Sequence, residues 1–309
     1  MCVDHRALNK LTIPNRYPLP GINNLQEKVK GATWFTRLDL NNGYNLIRIQ
    51  PGDQWKTAFT TKLGLYEYTV MPFGLMNAPS SFHKMIDEIL QDLDTHAAWY
   101  IDDILIYSGH GIDSLHPTGS EAEHKWAVER VLQKLLDHNL AVNLAKSEFH
   151  VTEVNFLGYL LGDNTLRMEP GKIEAIQQWE TPTRKKEMQV FLGFANYYRR
   201  FIQDYAHRVK PLNELTKSAK VPFSWGQEQQ EAFDMLKRAF QEAPVLVQFN
   251  CSLRTLIETD ASNQAISGVL SQGYSDPACT DKPVWKLVDC HAKTLSELQR
   301  NWPIHDKEL

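Results

Sequence analysis

The stretch that most constrains the fold is Ala97-Ala98-Trp99-Tyr100-Ile101-Asp102-Asp103-Ile104-Leu105-Ile106-Tyr107. Two apolar, β-prone runs flank two adjacent acids. That pattern predicts a β-hairpin with Asp102 and Asp103 at or beside its turn. In a strand pair this apolar, an unpaired carboxylate is partly desolvated and repelled by its neighbour. Divalent cations would remove that cost, because a metal inverts the local charge balance. A solvated acidic turn is the alternative reading of an Asp-Asp pair taken alone. A third acid bears on the choice. Trp34-Phe35-Thr36-Arg37-Leu38-Asp39 is another strand-like run that ends on its carboxylate, just before Asn41-Asn42-Gly43. Three strand-end carboxylates converging on one sheet edge would hold two metals about 3.5–4 Å apart, the geometry of in-line phosphoryl transfer.

The rest of the composition sets bounds. With 309 residues there is room for two or three domains and a sizeable core. The formal net charge is -4, from 33 Lys plus Arg against 37 Asp plus Glu, so any footprint for nucleic acid must be local. Candidates are Arg184-Lys185-Lys186, then Arg199-Arg200 with Arg208 and Lys210, and Lys217 with Lys220; each read alone is a solvated face. The 4 cysteines, Cys2, Cys251, Cys279 and Cys290, form no Cys-x-x-Cys pair and suggest free thiols in a reducing compartment. Zinc at Cys279, Cys290 and His291 fits poorly in spacing and count. No run of about 18 apolar residues and no basic-then-apolar leader occurs. A cytosolic, nuclear or particle-enclosed protein fits, and a membrane protein does not.

Along the chain, Met1 to Pro20 reads as extended strand and loop, punctuated by Pro14, Pro18 and Pro20. A short helix is expected from Ile22 to Lys30, ending at Gly31. Strands follow at Tyr44–Ile49, Thr57–Lys62 and Tyr66–Met71. After Pro79, Phe82, Met85, Ile86, Ile89 and Leu90 fall on one helical face. Gly109 to Gly119, with His110 and His116, reads as a polar loop. Ser120 and Glu123 have capping-box spacing and open a helix with Val128, Val131, Leu132, Leu135 and Leu136 inward. Together these describe an α+β layer, a sheet with two helices behind it. From Pro170 helices dominate: Pro170–Trp179, Lys185–Ile202 with a stripe of Val190, Phe191, Phe194, Tyr197, Tyr198 and Phe201, and Glu228–Gln241. A boundary is placed near Val221-Pro222. Strands then run from Arg254 to Asp260 and from Ala265 to Gln272. Lys282–Asp289 is poorly patterned, and His305–Leu309 reads as the start of a helix.

Tyr100-Ile101-Asp102-Asp103 resembles the Tyr-x-Asp-Asp box of reverse transcriptases, and its surroundings match in the family's order. They are Val3-Asp4-His5-Arg6-Ala7-Leu8-Asn9-Lys10, Asn15-Arg16-Tyr17-Pro18-Leu19-Pro20, Val70-Met71-Pro72-Phe73-Gly74-Leu75, Asn77-Ala78-Pro79 and Phe156-Leu157-Gly158-Tyr159. Phe191 to Ile202 and Glu258-Thr259-Asp260-Ala261-Ser262 continue the likeness. The whole chain resembles the polymerase of a gypsy-type long-terminal-repeat retrotransposon with the N-terminal part of a ribonuclease H domain.

The resemblance implies a right-hand α+β polymerase. Residues 1–161 would be incomplete fingers and palm, 162–221 a helical thumb and connection, and 222–309 a C-terminally truncated ribonuclease H-like α/β domain. It implies Asp39, Asp102 and Asp103 as catalytic metal ligands, for Mg²⁺ with Mn²⁺ as the alternative ion. The Leu40 carbonyl would help hold a metal. Tyr44 would stand where a ribose 2′-hydroxyl would go, although a packed core tyrosine is the other reading. Phe73 and Gly74 would lie against the incoming nucleotide and template, and Phe156, Leu157, Gly158 and Tyr159 would form the primer grip. Partners would be an RNA template, a DNA primer, their hybrid and dNTPs; the sequence does not fix whether the chain dimerises. Asp260 and Glu308 match two of about four ribonuclease H carboxylates, so that activity is expected to be absent. The other class of reading is a retroelement remnant that binds nucleic acid or a partner without turnover.

Overall fold

The computed structural model describes residues 3–109, 120–217, 222–262, 264–276 and 279–303. The loop containing His110, His116 and Pro117, the boundary at Val221, and Glu308 lie outside the described residues. The chain divides into two compact units. One comprises residues 1–157 and 161–164, the other residues 158–160 and 165–309.

In the first unit the elements run α1 (Arg6–Leu11), α2 (Ile22–Lys28), β1 (Ala32–Asp39), β2 (Phe59–Thr61), β3 (Gly64–Tyr66), α3 (Ala78–Leu90), β4 (Ala97–Tyr100), β5 (Asp103–Gly109), α4 (Glu121–Asp137), β6 (Glu148–Val151) and β7 (Glu153–Phe156). Four strands form an antiparallel sheet in the order β4-β5-β1-β6. Alternation places Leu38, Ile104 and Ile106 on one face, where they are fully buried. That face packs on Phe82, Ile86, Ile89 and Leu90 of α3 and on Val128, Val131 and Leu135 of α4. This is the expected layer of a sheet with two helices behind it. Burying a side chain such as Phe82 or Ile86 stabilises the fold by about 1.5–3 kcal/mol. Pro79 stands in the first turn of α3, where its missing N–H costs nothing. Ser120 caps α4 by accepting from the Glu123 N–H.

Several local expectations give way. Arg6–Leu11 is a helix rather than extended chain, started by Asp4, whose carboxylate accepts from the Arg6 N–H at 3.0 Å. Tyr44 lies in a 3₁₀ turn, Gly43–Leu46, instead of a strand. Asn42 at φ 55° turns the chain into it, a conformation Asn tolerates. Of the expected strand Tyr66–Met71 only Tyr66 enters a named strand, as the last residue of Gly64–Tyr66, which forms a hairpin with Phe59–Thr61. Leu136 is 69% exposed, outside the stripe that Val128, Val131 and Leu135 define.

The second unit holds β8 (Tyr159–Gly162, shared with the first), β9 (Thr165–Met168), α5 (Pro170–Gln177), α6 (Lys185–Tyr197), α7 (Tyr205–Arg208), α8 (Lys210–Glu214), α9 (Gln227–Gln241) and β10 (Leu246–Val247). These are followed by β11 (Arg254–Ala261), β12 (Ala265–Asp276), β13 (Cys279–Thr294) and α10 (Glu297–Arg300). The helix expected to reach Ile202 stops at Tyr197 and tightens to a 3₁₀ turn over Arg199–Phe201. Phe191, Tyr198 and Phe201 are buried, while Val190 is exposed. Strands β11, β12 and β13 form an antiparallel sheet. The segment 282–289, poorly patterned in the sequence, belongs to β13. A bulge there pairs Leu270 with Asp289 and Ser271 with Leu287, leaving Val288 extra. A bulge breaks the two-residue alternation that strand patterns rest on, which is why the pattern looked poor.

Candidate active site

The carboxylates meet because the two acid-bearing strands pair. β1 runs antiparallel to β5, and the register sets Asp39 directly opposite Asp103. β4 and β5 close as a hairpin, with Tyr100 opposite Asp103 and Ile101-Asp102 as the two-residue turn. Ile101 has φ 59° and Asp102 does not share a positive φ. That is the pattern of a type II′ turn, whose first position normally takes Gly. A β-branched residue there stores strain of roughly 1–2 kcal/mol. Packing offsets it, since the Ile101 side chain lies against the helix-backed core. The turn leaves Asp102 exposed and Asp103 half-buried. The Leu40 N–H donates to the Asp102 carbonyl at 3.4 Å, tying the end of β1 to this turn.

The environment of each carboxylate differs. Asp103 is pushed up to about 6 by burial, and by the negative charges of Asp102 and Asp39. The Arg37 guanidinium and an N–H from Leu157 pull it back toward ionisation. Arg37 and Asp39 are two apart on β1 and so share a face. Arg37 is itself held by Glu148 at 3.1 Å and by the Asn155 carbonyl at 2.7 Å. Residues 143–147 cradle Asp39: the Asn143 N–H donates to its carbonyl at 2.8 Å, and its own N–H donates to Ser147 Oγ at 3.2 Å. Lys146 Nζ stands 3.9 Å from Asp39 Oδ1, but its side chain is 67% exposed, so the pair is weak. Neither Arg37 nor Lys146 was singled out as a site residue. The two-residue spacing of Arg37 and Asp39 was a usable signal for the first; nothing in the sequence pointed to the second.

Tyr44 stands next to this edge. Its ring meets Phe73 at 5.2 Å and Phe82 at 5.6 Å, both edge-on. Burial and the Asp102 charge raise its hydroxyl above the ordinary tyrosine range. Gly43 allows the approach: a Cβ there would lie 3.1 Å from the Phe82 ring and 3.5 Å from Asp102 Cβ. Phe73 is 61% exposed, and Gly74 follows at φ 91°. Phe156 is buried at the end of β7, and the unit boundary falls between Leu157 and Gly158. Within the second unit, Tyr198 donates to the Gly158 carbonyl at 3.0 Å, and Tyr159 to the Tyr197 carbonyl at 3.0 Å. Asp260 is exposed near the end of β11, opposite Ser267.

Among the described residues, no three His, Cys, Asp or Glu side chains are gathered into a ready-made metal-ligand set. Asp39, Asp102 and Asp103 share one sheet end without closing into such a cluster. Their chemistry nonetheless fits a hard divalent cation. They offer carboxylate oxygens, and a cation would offset the burial, and then the mutual repulsion, that lift Asp103. Mg²⁺ is commonly held by one or two carboxylates plus substrate phosphates, so a full protein cage is not required. No described helix is long and apolar enough to cross a membrane.

The family model for reverse transcriptase (RNA-dependent DNA polymerase) matches residues 1–161. The model for the RNase H-like domain found in reverse transcriptase matches residues 225–309. The Tf2-3 and Tf2-7 transposon polyproteins of Schizosaccharomyces pombe are each 40% identical over 310 aligned residues. The match takes in all of this chain and 22% of those polyproteins, so the chain spans about a fifth of its curated relatives. Among solved structures, a foamy viral protease-reverse transcriptase in complex with double-stranded DNA matches with TM-score 0.81 at 22% identity. It covers 99% of this chain and 51% of that one. The same viral enzyme in complex with an RNA/DNA hybrid matches with TM-score 0.78 at 23% identity, covering 99% and 39%. At these identities the likeness shows the fold alone, a mixed arrangement of helices and sheets. With its strand-end acids paired and more than half of its length matched by the family model, this chain belongs to the reverse transcriptase family.

Proposed function

We propose that the chain is the RNA-directed DNA polymerase portion of a retrotransposon polyprotein, adding dNTPs to the 3′-hydroxyl of a DNA primer on an RNA template. The observation that carries this reading is the register that sets Asp39 across from Asp103, with Asp102 in the adjoining turn and Tyr44 beside it. Asp39 and Asp102 are the residues best placed to hold Mg²⁺ or Mn²⁺, and Asp103 either joins them or orients them. Divalent cations bound there would lower the pKa of the primer hydroxyl and neutralise the leaving pyrophosphate. The Leu40 carbonyl would add a ligand.

The remaining roles belong to side chains and backbone of this chain. Tyr44, wedged between Phe73 and Phe82, is a rigid ring that cannot yield to an extra 2′-oxygen, and so would exclude ribonucleotides. Exposed Phe73 and Gly74 would flank the nucleotide and template. Phe156, Leu157, Gly158 and Tyr159 would grip the primer, and residues 162–221 would hold the hybrid by its backbone, insensitive to sequence and weakened by salt. Asp260, with Glu308, would belong to the ribonuclease H-like part at 222–309.

Primer extension on an RNA template tests the reading. The wild-type chain should incorporate dNTPs in Mg²⁺, and Asp102→Asn should lower the rate at least about 10²-fold, the scale for removing a group that stabilises transition-state charge. Incorporation that survives Asp102→Asn, or none by the wild-type chain, overturns it.

A further inference from the structure

A carboxylate away from the sheet edge accepts hydrogen bonds from two other parts of the first unit. Asp87 lies on α3, four residues after His83. Its Oδ2 accepts from the Tyr17 hydroxyl at 2.5 Å. Its Oδ1 accepts from the Trp99 indole N–H and stands 3.6 Å from His83 Nε2. The hydrogen bond to Asp87 pushes the Tyr17 hydroxyl up to about 12, so that proton stays on tyrosine.

The partners are not incidental. Trp99 sits on β4, three residues before Asp102. β4 is the outermost strand of its sheet, with a strand partner on one side only. It leads straight into a turn strained at Ile101. An edge strand of four residues entering a strained turn needs a second hold to keep its register. Tyr17 belongs to the segment 12–20, which is pinned further along. Asn77 Nδ2 donates to the Ile13 carbonyl at 2.9 Å, and Asn77 Oδ1 accepts from the Asn15 N–H at 2.9 Å. Asn9 makes the matching pair to the turn after Phe73, through the Gly74 carbonyl at 2.8 Å and the Met76 N–H at 2.9 Å.

We propose that Asp87 is a positioning residue that latches the acid-bearing hairpin, through Trp99, to the N-terminal stretch 9–20, through Tyr17, the stretch whose Asn9 also fixes the Phe73-Gly74 turn. The latch itself stands on these contacts. Its consequence for synthesis rests on the polymerase reading: the carboxylates and the nucleotide-facing turn are held in one frame. Asp87→Asn keeps the shape, but replaces one accepting oxygen by an NH₂ group, so one of the donors loses its acceptor.

Hydrogen–deuterium exchange on the wild-type chain, Asp87→Asn and Tyr17→Phe tests the latch without relying on activity. Amides over residues 97–106 should exchange at least about tenfold faster in Asp87→Asn and severalfold faster in Tyr17→Phe. Amides of α4 should stay within about twofold of wild type, a contrast that loss of overall stability would not produce. In single-nucleotide incorporation, kcat should fall about tenfold in Asp87→Asn, with KM for the nucleotide changed less than about threefold. Unchanged exchange over 97–106, or acceleration spread equally into α4, overturns the proposal. If Asp87→Asn does not fold, Tyr17→Phe, which removes a single hydroxyl, decides by exchange alone. If the wild-type chain incorporates nothing, the polymerase reading fails while the exchange result still decides the latch.

Discussion

Asp103 should be a group the fold holds at a cost, and replacing it should show that as stability. The carboxyl titrates near 3.8 when unconstrained and is pushed up to about 6 in the folded chain. Between those values the folded state binds more proton than the unfolded one. Stability is therefore lost as pH rises from about 4 through about 6, and stays lower above that. Two pH units at 1.36 kcal/mol each set a ceiling of about 3 kcal/mol. That net value already contains the favourable attraction of Arg37. Asp103→Asn removes the charge and keeps an oxygen to accept from the Leu157 N–H. With divalent cations chelated, the variant should be about 2 kcal/mol more stable than wild type at pH 7.5. That raises the Tm of the first unit by about 4–8 °C. Near pH 4 the gain should vanish, while nucleotide incorporation is abolished at every pH. Thermal melts of both proteins at the two pH values, followed by tryptophan fluorescence, measure it. A variant less stable than wild type at pH 7.5, or equally stabilised at both, refutes the account of Asp103 as a buried carboxylate crowded by two others at one edge.

Other outcomes follow from single contacts. His124 on α4 is fully buried against Thr36, and burial with the neighbouring His150 charge lowers its pKa to about 4. The folded state therefore binds less proton than the unfolded between about 4 and 6.5. His124 alone should therefore cost the first unit up to about 3 kcal/mol as pH falls through that window, opposing the gain from Asp103, and urea melts of wild type against His124→Gln from pH 7.5 to 4.5 read its share as the difference between the two profiles. In the second unit, a Cβ on Gly158 would lie 2.6 Å from Tyr198 Oη at a backbone φ of 79°. Gly158→Ala should cost about 2–3 kcal/mol, and Tyr198→Phe about 1 kcal/mol. The double variant should be no worse than Gly158→Ala, because the clash is gone; additive losses in denaturant melts would contradict the contact.

What could be read from the chain alone was local or carried by short-range pattern. The hairpin at 97–107, the inward face of α3 and the capped start of α4 follow from alternation, helical spacing and a Ser three residues before a Glu. The resemblance is what singled out the three acids as proposed metal ligands. The sequence could not supply the register. Asp39 and Asp103 are 64 residues apart, and a slip by one residue would send one of them to the helix-covered face, so only the assembled sheet decides that they meet. The same holds for Arg37 and Leu157 beside Asp103, Lys146 beside Asp39, and Asp87 between Tyr17 and Trp99. Each partner is set by chain segments that pack side by side only after folding. Where local pattern misled, at Tyr44 and at 282–289, a left-handed Asn and a bulge had shifted the period on which the reading depended.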